Sequence, residues 1–258
     1  LNLHGKEILG MKNHQRFGNK FPLLIKFIDA KRDLSVQLHP NDKLARQRHD
    51  SFGKTEMWYV MQADEDAKLI VGFNQNMDSK KYLQHLEEKR LVDILNFHSV
   101  KAGDTYFIEA GRIHAIGGGV LLAEIQQTSD ITYRVYDWDR KDADGNERDL
   151  HNDIAIEAFN FDMEDDFKVS YKREENKSNS IVSCPYFITN FIPLNGIVTK
   201  NNEIDSFKIY LCVEGEFEIS TNNHTEFLSS GETVLLPANI SEYTMKSKNA
   251  KLLEVFID

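Results

Sequence analysis

The sequence contains few cysteines and no long apolar run. Its 258 residues include two cysteines, Cys184 and Cys212. Two cysteines are too few for the disulfide framework of a small secreted domain, and we expect a reducing, cytoplasmic location. No apolar run approaches the roughly 20 residues that a membrane-spanning helix requires. The opening residues, LNLHGKEILG, are too interrupted by polar residues to form a signal peptide, so we expect no membrane association.

The sequence also contains fewer basic residues than acidic ones. Lys and Arg together number 31 against 41 Asp and Glu, which gives a formal net charge of −10. This balance argues against a nucleic-acid backbone as the main partner, because binding one requires clustered cations, and we expect no nucleic-acid partner. It still allows a small anionic ligand, since a few Lys or Arg side chains suffice to bind one phosphate. We expect a monomer or a weak homo-oligomer.

The sequence does contain a long series of short strand-like segments. Examples are EMWYVMQ (56–62), AKLIVGF (67–73) and TYRVYDW (132–138), and strand follows strand from Ile181 to the end. This spacing predicts a mainly β protein, either a barrel or a sandwich. Helical patterns are fewer and consist of a short helix capped by Asn41, KKYLQHLEEKRLVDIL (80–95) and DIAIEAFNF (153–161).

One strand-turn-strand unit occurs twice. Gly103 is followed by five residues, the tripeptide EAG, two residues and His114, whereas Gly231 is followed by five residues, PAN, two residues and Glu242. A repeat of this kind predicts two related β-barrels, of which only the first keeps its histidine. We expect a site-bearing barrel with a helical insert over 1–150, a helix and linker over 151–180, and a second barrel without a metal site over 181–258.

Two histidines, a carboxylate and an amide are placed to converge inside the first barrel. Residues two apart on a strand point to the same face, so VQLHP directs Gln37 and His39 together. Glu56 opens the next clear strand, and His114 lies on a later one. Together the four suit a borderline divalent ion, zinc above all. Taken singly, each has an ordinary structural role, such as a hydrogen-bonded core histidine or a strand-edge carboxylate.

Three segments carry a resemblance to a known family. SVQLHPND, GKTEMWYV and EAGRIHAIGGGVLLAEIQQTSDITYRVYDWDR closely resemble the type I phosphomannose isomerases of the short bacterial kind, which are zinc enzymes of the cupin superfamily. The resemblance implies two cupin-type jelly-roll barrels with a few short helices, the first of them catalytic. It also implies one Zn²⁺ per chain, with ligands Gln37, His39, Glu56 and His114, and an active site that includes Lys54, Asp130 and Arg134.

The reaction that the resemblance implies is an aldose–ketose isomerisation in carbohydrate metabolism. Its substrate is a phosphorylated hexose: mannose 6-phosphate and fructose 6-phosphate interconvert through a cis-enediol. The family also carries a preceding N-terminal segment with a Trp-Gly-Gly-like stretch, which nothing in this chain matches. The chain opens on Leu1 rather than Met, and we expect that its N-terminus is incomplete or processed.

Other interpretations of the same residues stay open. Without the resemblance, Lys54 is a solvated lysine, Asp130 caps a turn and Arg134 belongs to a structural ion pair. A metal-dependent cupin oxygenase is one alternative function, because two histidines and a carboxylate also bind iron. The neutral amide of Gln37 counts against it, since such a ligand favours redox-inert Lewis-acid chemistry. A non-catalytic sugar-binding cupin is the other alternative.

Overall fold

The chain folds mainly as β-strands with a few short helices, as the sequence predicts. The computed structural model describes residues 1–164 and 166–258. These residues form two compact units: a central unit, Leu23–Lys168, and a terminal unit made of Leu1–Pro22 and Val169–Asp258. This division differs from the expected boundaries at 150 and 181. Among the described residues, no helix combines the length and apolar character that crossing a membrane requires.

The central unit contains two sheets. In the first, sheet I, the strand order is β1-β8-β3-β6. In the second, sheet II, it is β5-β4-β7-β2-β9. The strands are β1 (Leu23–Ala30), β2 (Val36–Leu38), β3 (Glu56–Ala63), β4 (Lys68–Phe73), β5 (Leu95–Ser99), β6 (Thr105–Ile108), β7 (His114–Ile116), β8 (Val120–Gln127) and β9 (Tyr133–Tyr136).

Sheets I and II pack face to face, and the core of the unit lies between them. One buried cluster joins Trp58 and Leu122 of sheet I to Leu69 and Val71 of sheet II. The opposite face of sheet II is also covered, because Ile70 and other residues of that face pack in a second cluster with helical residues. Burial on both faces explains why LIVGF in β4 reads as one apolar run rather than as an alternating strand.

The helices of the central unit are shorter than their sequence patterns predict. They are α3 (Asp42–His49), α4 (Ser79–Glu87), a 3₁₀ turn (Leu91–Ile94) and α5 (Asn152–Ala155). The predicted caps are present: the Asn41 side chain accepts a hydrogen bond from Leu44 N, and Asp78 accepts one from Lys81 N. The prediction of a helix over 153–161 is wrong in length, because α5 ends at Ala155 after a single turn.

The terminal unit holds the remaining helices and one sheet. The helices α1 (Gly5–Leu9) and α2 (Met11–Phe17) are tied to the C-terminal segment through Asn13, whose amide donates to Ser206 Oγ over 3.1 Å. The sheet runs β10-β11-β16-β12-β15, with β13 between β14 and β16. Its strands are β10 (Asn179–Ser183), β11 (Ile188–Asn201), β12 (Lys208–Glu214), β13 (Glu216–Ser220), β14 (Thr225–Ser229), β15 (Thr233–Leu236) and β16 (Glu242–Phe256).

The repeat in the sequence corresponds to the same hydrogen-bond pattern in both units. Gly103 N donates to Val60 O in the central unit, and Gly231 N donates to Cys212 O in the terminal unit. The strand register matches as well. Trp58 of β3 pairs with Glu124 of β8, and Tyr210 of β12 pairs with Glu254 of β16. The same register places Lys208 where the central unit has Glu56.

A buried ion-pair network lies inside the terminal unit and is centred on Glu254, which is 1% exposed. One carboxylate oxygen lies 2.9 Å from Lys200 Nζ and 3.3 Å from Lys208 Nζ, and it accepts a hydrogen bond from Tyr210 OH over 2.7 Å. The other oxygen accepts from Asn190 Nδ2 over 2.8 Å. A buried carboxylate with this many partners stabilises the fold only while it stays ionised.

Replacing Glu254 with glutamine is expected to lower the free energy of unfolding by ~3 kcal/mol near neutral pH, because Lys200 and Lys208 lose their buried counter-charge. Burial alone would raise the pKa of Glu254, but the two lysines and Asn190 outweigh it and hold the pKa at about 2, below the ordinary 4.5. The stabilisation is therefore complete above the ordinary pKa and is lost as the pH falls toward 2.

Urea unfolding followed by circular dichroism measures this effect. The difference between wild type and Glu254→Gln should shrink from about pH 7 to about pH 3. The exposed Glu203→Gln change is the control and should leave the free energy of unfolding unaltered at both pH values. A difference that is the same at both pH values would contradict the role given to the Glu254 charge.

Candidate metal centre

Strand pairing brings the predicted ligands together between sheets I and II. Gln37 of β2 is the register partner of His114 of β7, and His39 follows directly after β2. Glu56 opens β3 in sheet I. Cross-strand partners point to the same face, so Gln37 and His114 face Glu56 across the interior.

The donor atoms of His39, Glu56 and His114 are close enough to share one ion. His39 Nε2 lies 3.6 Å from Glu56 Oε2, and His114 Nε2 lies 3.5 Å from Glu56 Oε1. One ligand atom from each residue can be chosen so that all three lie within 4.8 Å of one another. All three residues are buried, at 1%, 0% and 0% exposure.

Backbone carbonyls fix the orientation of both imidazoles. His39 Nδ1 lies 2.8 Å from Ile131 O, and His114 Nδ1 lies 2.8 Å from Arg112 O. A carbonyl only accepts, so Nδ1 carries the proton and each Nε2 turns a lone pair toward Glu56. Burial lowers the pKa of His114 to about 4 and that of His39 well below its ordinary value. Both rings are therefore neutral near pH 7, the form that binds a metal ion.

The Glu56 carboxylate is the strongest sign that a cation belongs here. Among the described residues, neither of its oxygens has a partner that meets hydrogen-bond geometry, and the same holds for the buried Nε2 of His39. Lys54 Nζ lies 3.1 Å from Glu56 Oε2 as an ion pair. Burial, together with the nearby charge of Glu124, nevertheless raises the pKa of Glu56 to about 7. Buried oxygen and nitrogen atoms that have lone pairs and no hydrogen-bond partner are suited to bind a divalent cation. Such a cation would keep the Glu56 carboxylate ionised.

Gln37 lies beside His39, Glu56 and His114, but its amide nitrogen rather than its amide oxygen points toward His114. Its Nε2 is 3.4 Å from His114 Nε2. A metal ligand must be the amide oxygen, so a ligand role requires the amide group to turn by half a rotation. The position of Gln37 thus agrees with the prediction, whereas the orientation of its amide does not.

The three further residues that were predicted for the site lie in different environments. Lys54 is 5% exposed and forms the ion pair with Glu56. Arg134 is the register partner of Gln37 on β9 and is half-buried. Asp130 is exposed and adjoins Ile131, whose carbonyl orients His39. The structure thus brings Lys54 and Arg134 next to the candidate ligands and leaves Asp130 at the surface.

Two charged residues of the same interior were missed from the sequence. Lys26 of β1 donates to Glu124 Oε1 over 2.8 Å and to Gln126 Oε1 over 2.6 Å. Glu124 also accepts from Trp58 Nε1 over 3.1 Å, and the Trp58 ring contacts His114 edge-on. The available signal was a charged residue inside each of the apolar runs LLIKFI and VLLAEI, because such a residue is rarely buried without a partner.

The seven other histidines are exposed or half-buried, as their sequence contexts predict. The triple glycine at 117–119 forms the turn between β7 and β8, also as predicted. Gly119 takes a positive φ of 80° there.

Comparison with known proteins gives consistent matches along the chain. A family model described as "Phosphomannose isomerase type I, catalytic domain" matches residues 3–92, and one described as "Mannose-6-phosphate isomerase, cupin domain" matches residues 177–257. Mannose-6-phosphate isomerase ManA of Bacillus subtilis (strain 168) is 33% identical over 246 residues, which cover 94% of this chain and 76% of the relative. A mannose-6-phosphate isomerase of Streptococcus mutans is 34% identical, over 90% of this chain and 74% of the relative.

A solved structure agrees with these matches. The crystal structure of the mannose 6-phosphate isomerase from Bacillus subtilis has a TM-score of 0.83 and 31% identity, over 92% of this chain and 76% of that one. The strand architecture and the cupin-domain match define a protein of the cupin class. Within that class, the chain belongs to the type I phosphomannose isomerases, a family of enzymes.

Proposed function

We propose that this protein is a zinc-dependent isomerase that interconverts mannose 6-phosphate and fructose 6-phosphate. The possible ligand atoms of His39, Glu56 and His114 converge, and among the described residues His39 Nε2 and both Glu56 oxygens have no hydrogen-bond partner; this observation carries the proposal. The names of the relatives supply mannose 6-phosphate, and fructose 6-phosphate is the ketose that an aldose–ketose isomerisation of it gives. Gln37 completes the ligand set through its amide oxygen, and one ion binds per chain. Two neutral imidazoles, a carboxylate and an amide suit a borderline, redox-inert ion such as zinc.

The bound zinc would supply a Lewis acid for the C1 and C2 oxygens of the open-chain sugar. The residues of the chain do the rest. A proton leaves C2 of the aldose while the C1 oxygen gains one, which gives the cis-enediol. A proton is then delivered to C1 while the C2 hydroxyl loses its proton, which gives the ketone. The hydrogen next to a carbonyl is weakly acidic, so a base must stand beside the carbon.

Lys54 is our choice for the group that moves the proton: its side-chain amine, after losing one proton to solvent, takes the C2 proton, and the ammonium group so formed returns it to C1. It is buried at 5% exposure, and its ammonium group lies 3.1 Å from Glu56 Oε2. Asp130, the alternative predicted from the sequence, is exposed. We give Asp130 the lesser role of supporting the loop that carries Ile131. Arg134 lies one strand from Gln37 and is permanently charged, which suits an enediolate oxygen or the substrate phosphate.

The two units are, in this proposal, related cupin barrels of which only the central one binds metal. The matching registers of Trp58–Glu124 and Tyr210–Glu254 support the relationship. The terminal unit has Lys208 at the register position of Glu56 and Glu242 at the repeat position of His114. An ammonium group at the carboxylate position would repel a cation, so the terminal unit keeps a packing role.

The test is a coupled assay that detects fructose 6-phosphate formed from mannose 6-phosphate. We expect turnover by the purified protein, at least a hundredfold loss after treatment with a chelator, and recovery with zinc. Unphosphorylated mannose should be a far poorer substrate. Absence of turnover by the zinc-loaded protein would refute the proposal, and so would stoichiometric iron with oxygen uptake, which would indicate an oxygenase.

A further inference from the structure

A buried carboxylate next to strand β9 holds two arginines together. Asp137 has a side chain that is only 7% exposed, and it forms ion pairs with Arg140 and Arg148. Both guanidinium groups contact Oδ1 through Nη2. Arg148 makes a second, parallel contact from Nε to Oδ2 over 2.7 Å. Arg148 is thus held in the two-pronged geometry that fixes a guanidinium plane.

Arg140 and Arg148 differ in how many of their guanidinium nitrogens already donate hydrogen bonds. Arg140 uses all three of its nitrogens: Nε donates to Asp137 O over 3.0 Å, and Nη1 donates to Asp33 O over 2.6 Å, besides the Nη2 contact. Arg148 uses only Nε and Nη2, and its Nη1 has no hydrogen-bond partner among the described residues. Its side chain is 50% exposed. Arg140 is therefore a structural clamp, whereas Arg148 presents a donor to solvent.

Arg134 adds unused donors to the same place. Its Nη1 donates over 2.9 Å to the carbonyl of Asp149, the residue after Arg148. Its Nε is buried and has no hydrogen-bond partner in the part of the chain that the structure describes. The hydrogen bond to Asp149 O brings Arg134 to the chain segment that carries Arg148. Burial, and next the positive charge of Arg148, lower the pKa of Arg134, in agreement with this placement. Like charges on one segment with unfilled donors are an arrangement that a bound anion stabilises.

The charge and the location define the kind of anion. Arg140 and Arg148 share the single carboxylate of Asp137, and Arg134 donates to the backbone carbonyl of Asp149 rather than to a carboxylate. These contacts join three guanidinium groups to one carboxylate in a chain whose net charge is −10. The register pairing of Arg134 with Gln37 puts this excess of positive charge one strand away from the candidate metal centre. A doubly charged oxyanion with several acceptor oxygens matches paired guanidinium donors best.

We propose that Arg148, together with Arg134, binds the phosphate group of the sugar substrate, and that Asp137 is the positioning residue that holds Arg148 in place. The inference deepens the proposed function and rests on it for the identity of the substrate. The anion site itself is testable without turnover, by using inorganic phosphate as the probe.

The first experiment compares wild type with Arg148→Gln. We expect KM for mannose 6-phosphate to rise about tenfold with kcat within about twofold of wild type, since a charge-assisted hydrogen bond to the non-reacting end of the substrate is lost. The dissociation constant for inorganic phosphate, measured by calorimetry on the metal-loaded protein, should rise by a similar factor. Arg90→Gln removes an exposed, ion-paired arginine and is the matched control, which should change neither value.

The second experiment tests the positioning role of Asp137. Asp137→Asn keeps the shape and removes the charge, so KM should rise while kcat is retained, and Asp137→Glu should restore part of the loss. If Asp137 acts through Arg148, the double variant Asp137→Asn/Arg148→Gln should be no worse than Arg148→Gln alone. Additive losses in KM would overturn the positioning role.

An Arg148→Gln variant with unchanged KM and unchanged phosphate affinity would overturn the phosphate site, whatever the turnover. If the wild-type protein binds phosphate through Arg148 but does not turn over mannose 6-phosphate, the anion site stands and the proposed function fails. The two claims are therefore separable within one set of proteins.

Discussion

Replacing His114 with alanine is expected to remove zinc binding and to lower kcat/KM by more than about a thousandfold. The variant loses one of two imidazoles whose lone pairs point at Glu56, and the loss of the metal's Lewis acidity accounts for several kcal/mol of barrier. The fold should survive, because the ring lies at the polar centre between the sheets rather than in the apolar clusters. Far-UV circular dichroism should match wild type.

Metal content per chain and turnover are the two measurements for this variant. His85→Ala is the matched control, since His85 is a half-exposed histidine of α4 whose Nδ1 lies 2.8 Å from the carbonyl of Lys81. The control should keep one zinc per chain and wild-type turnover. A His114→Ala protein with undiminished zinc content would show that the ligand assignment is wrong.

Replacing Lys54 with glutamine is expected to lower kcat by about a thousandfold, the range that general acid–base catalysis contributes. Lys54 is buried beside Glu56 and supplies the only ammonium group within 4.0 Å of that carboxylate among the described residues. Unlike the His114 variant, this one should retain its zinc, because the four proposed ligands are intact. Loss of turnover in a variant that still binds zinc would show that Lys54 transfers a proton and does not ligate the metal.

Lys43→Gln, at an exposed lysine of α3, is the control for loss of a positive charge and should leave kcat unchanged. Turnover is measured under single-turnover conditions with zinc quantified in the same sample. A Lys54→Gln protein with wild-type kcat would exclude Lys54 from proton transfer and return Asp130 to consideration.

The candidate ligands could be predicted from the sequence because strand alternation determines which side chains share a face. VQLHP and the single histidine after Gly111 were sufficient to place Gln37, His39 and His114 together. The orientation of the Gln37 amide could not be predicted, because it depends on local hydrogen bonding rather than on backbone period. Lys26 and Glu124 were missed because their partnership exists only once β1 and β8 pair in register.

The arginine cluster was beyond sequence reasoning for a related reason. Arg140 and Arg148 lie in the charged, turn-rich stretch after β9, where no periodicity fixes side-chain direction. Only the tertiary structure shows that both converge on Asp137 while Arg148 alone keeps an unused donor. A pattern of charges in a loop predicts solvent exposure and gives no geometry.

The compact units differ from the predicted boundaries because contacts distant in sequence determine them. Leu1–Pro22 joins the terminal unit through bonds such as that from Asn13 to Ser206, across 193 residues of chain. In the series of strands predicted from Ile181 onward, the polar residues between EYTMKS and KLLEVFI indicate two separate strands. The two segments form one strand, β16, that pairs with β11 on both sides of a bulge near Gly196. The sequence pattern shows the polar residues that interrupt β16, but it does not show that the strand continues across them by pairing with β11.

The most direct test of the central claim is turnover of mannose 6-phosphate during a zinc titration of chelator-treated protein. The account predicts that formation of fructose 6-phosphate rises linearly with added zinc and levels off at one equivalent per chain. Full turnover in protein that contains less than about a tenth of an equivalent of metal would contradict it.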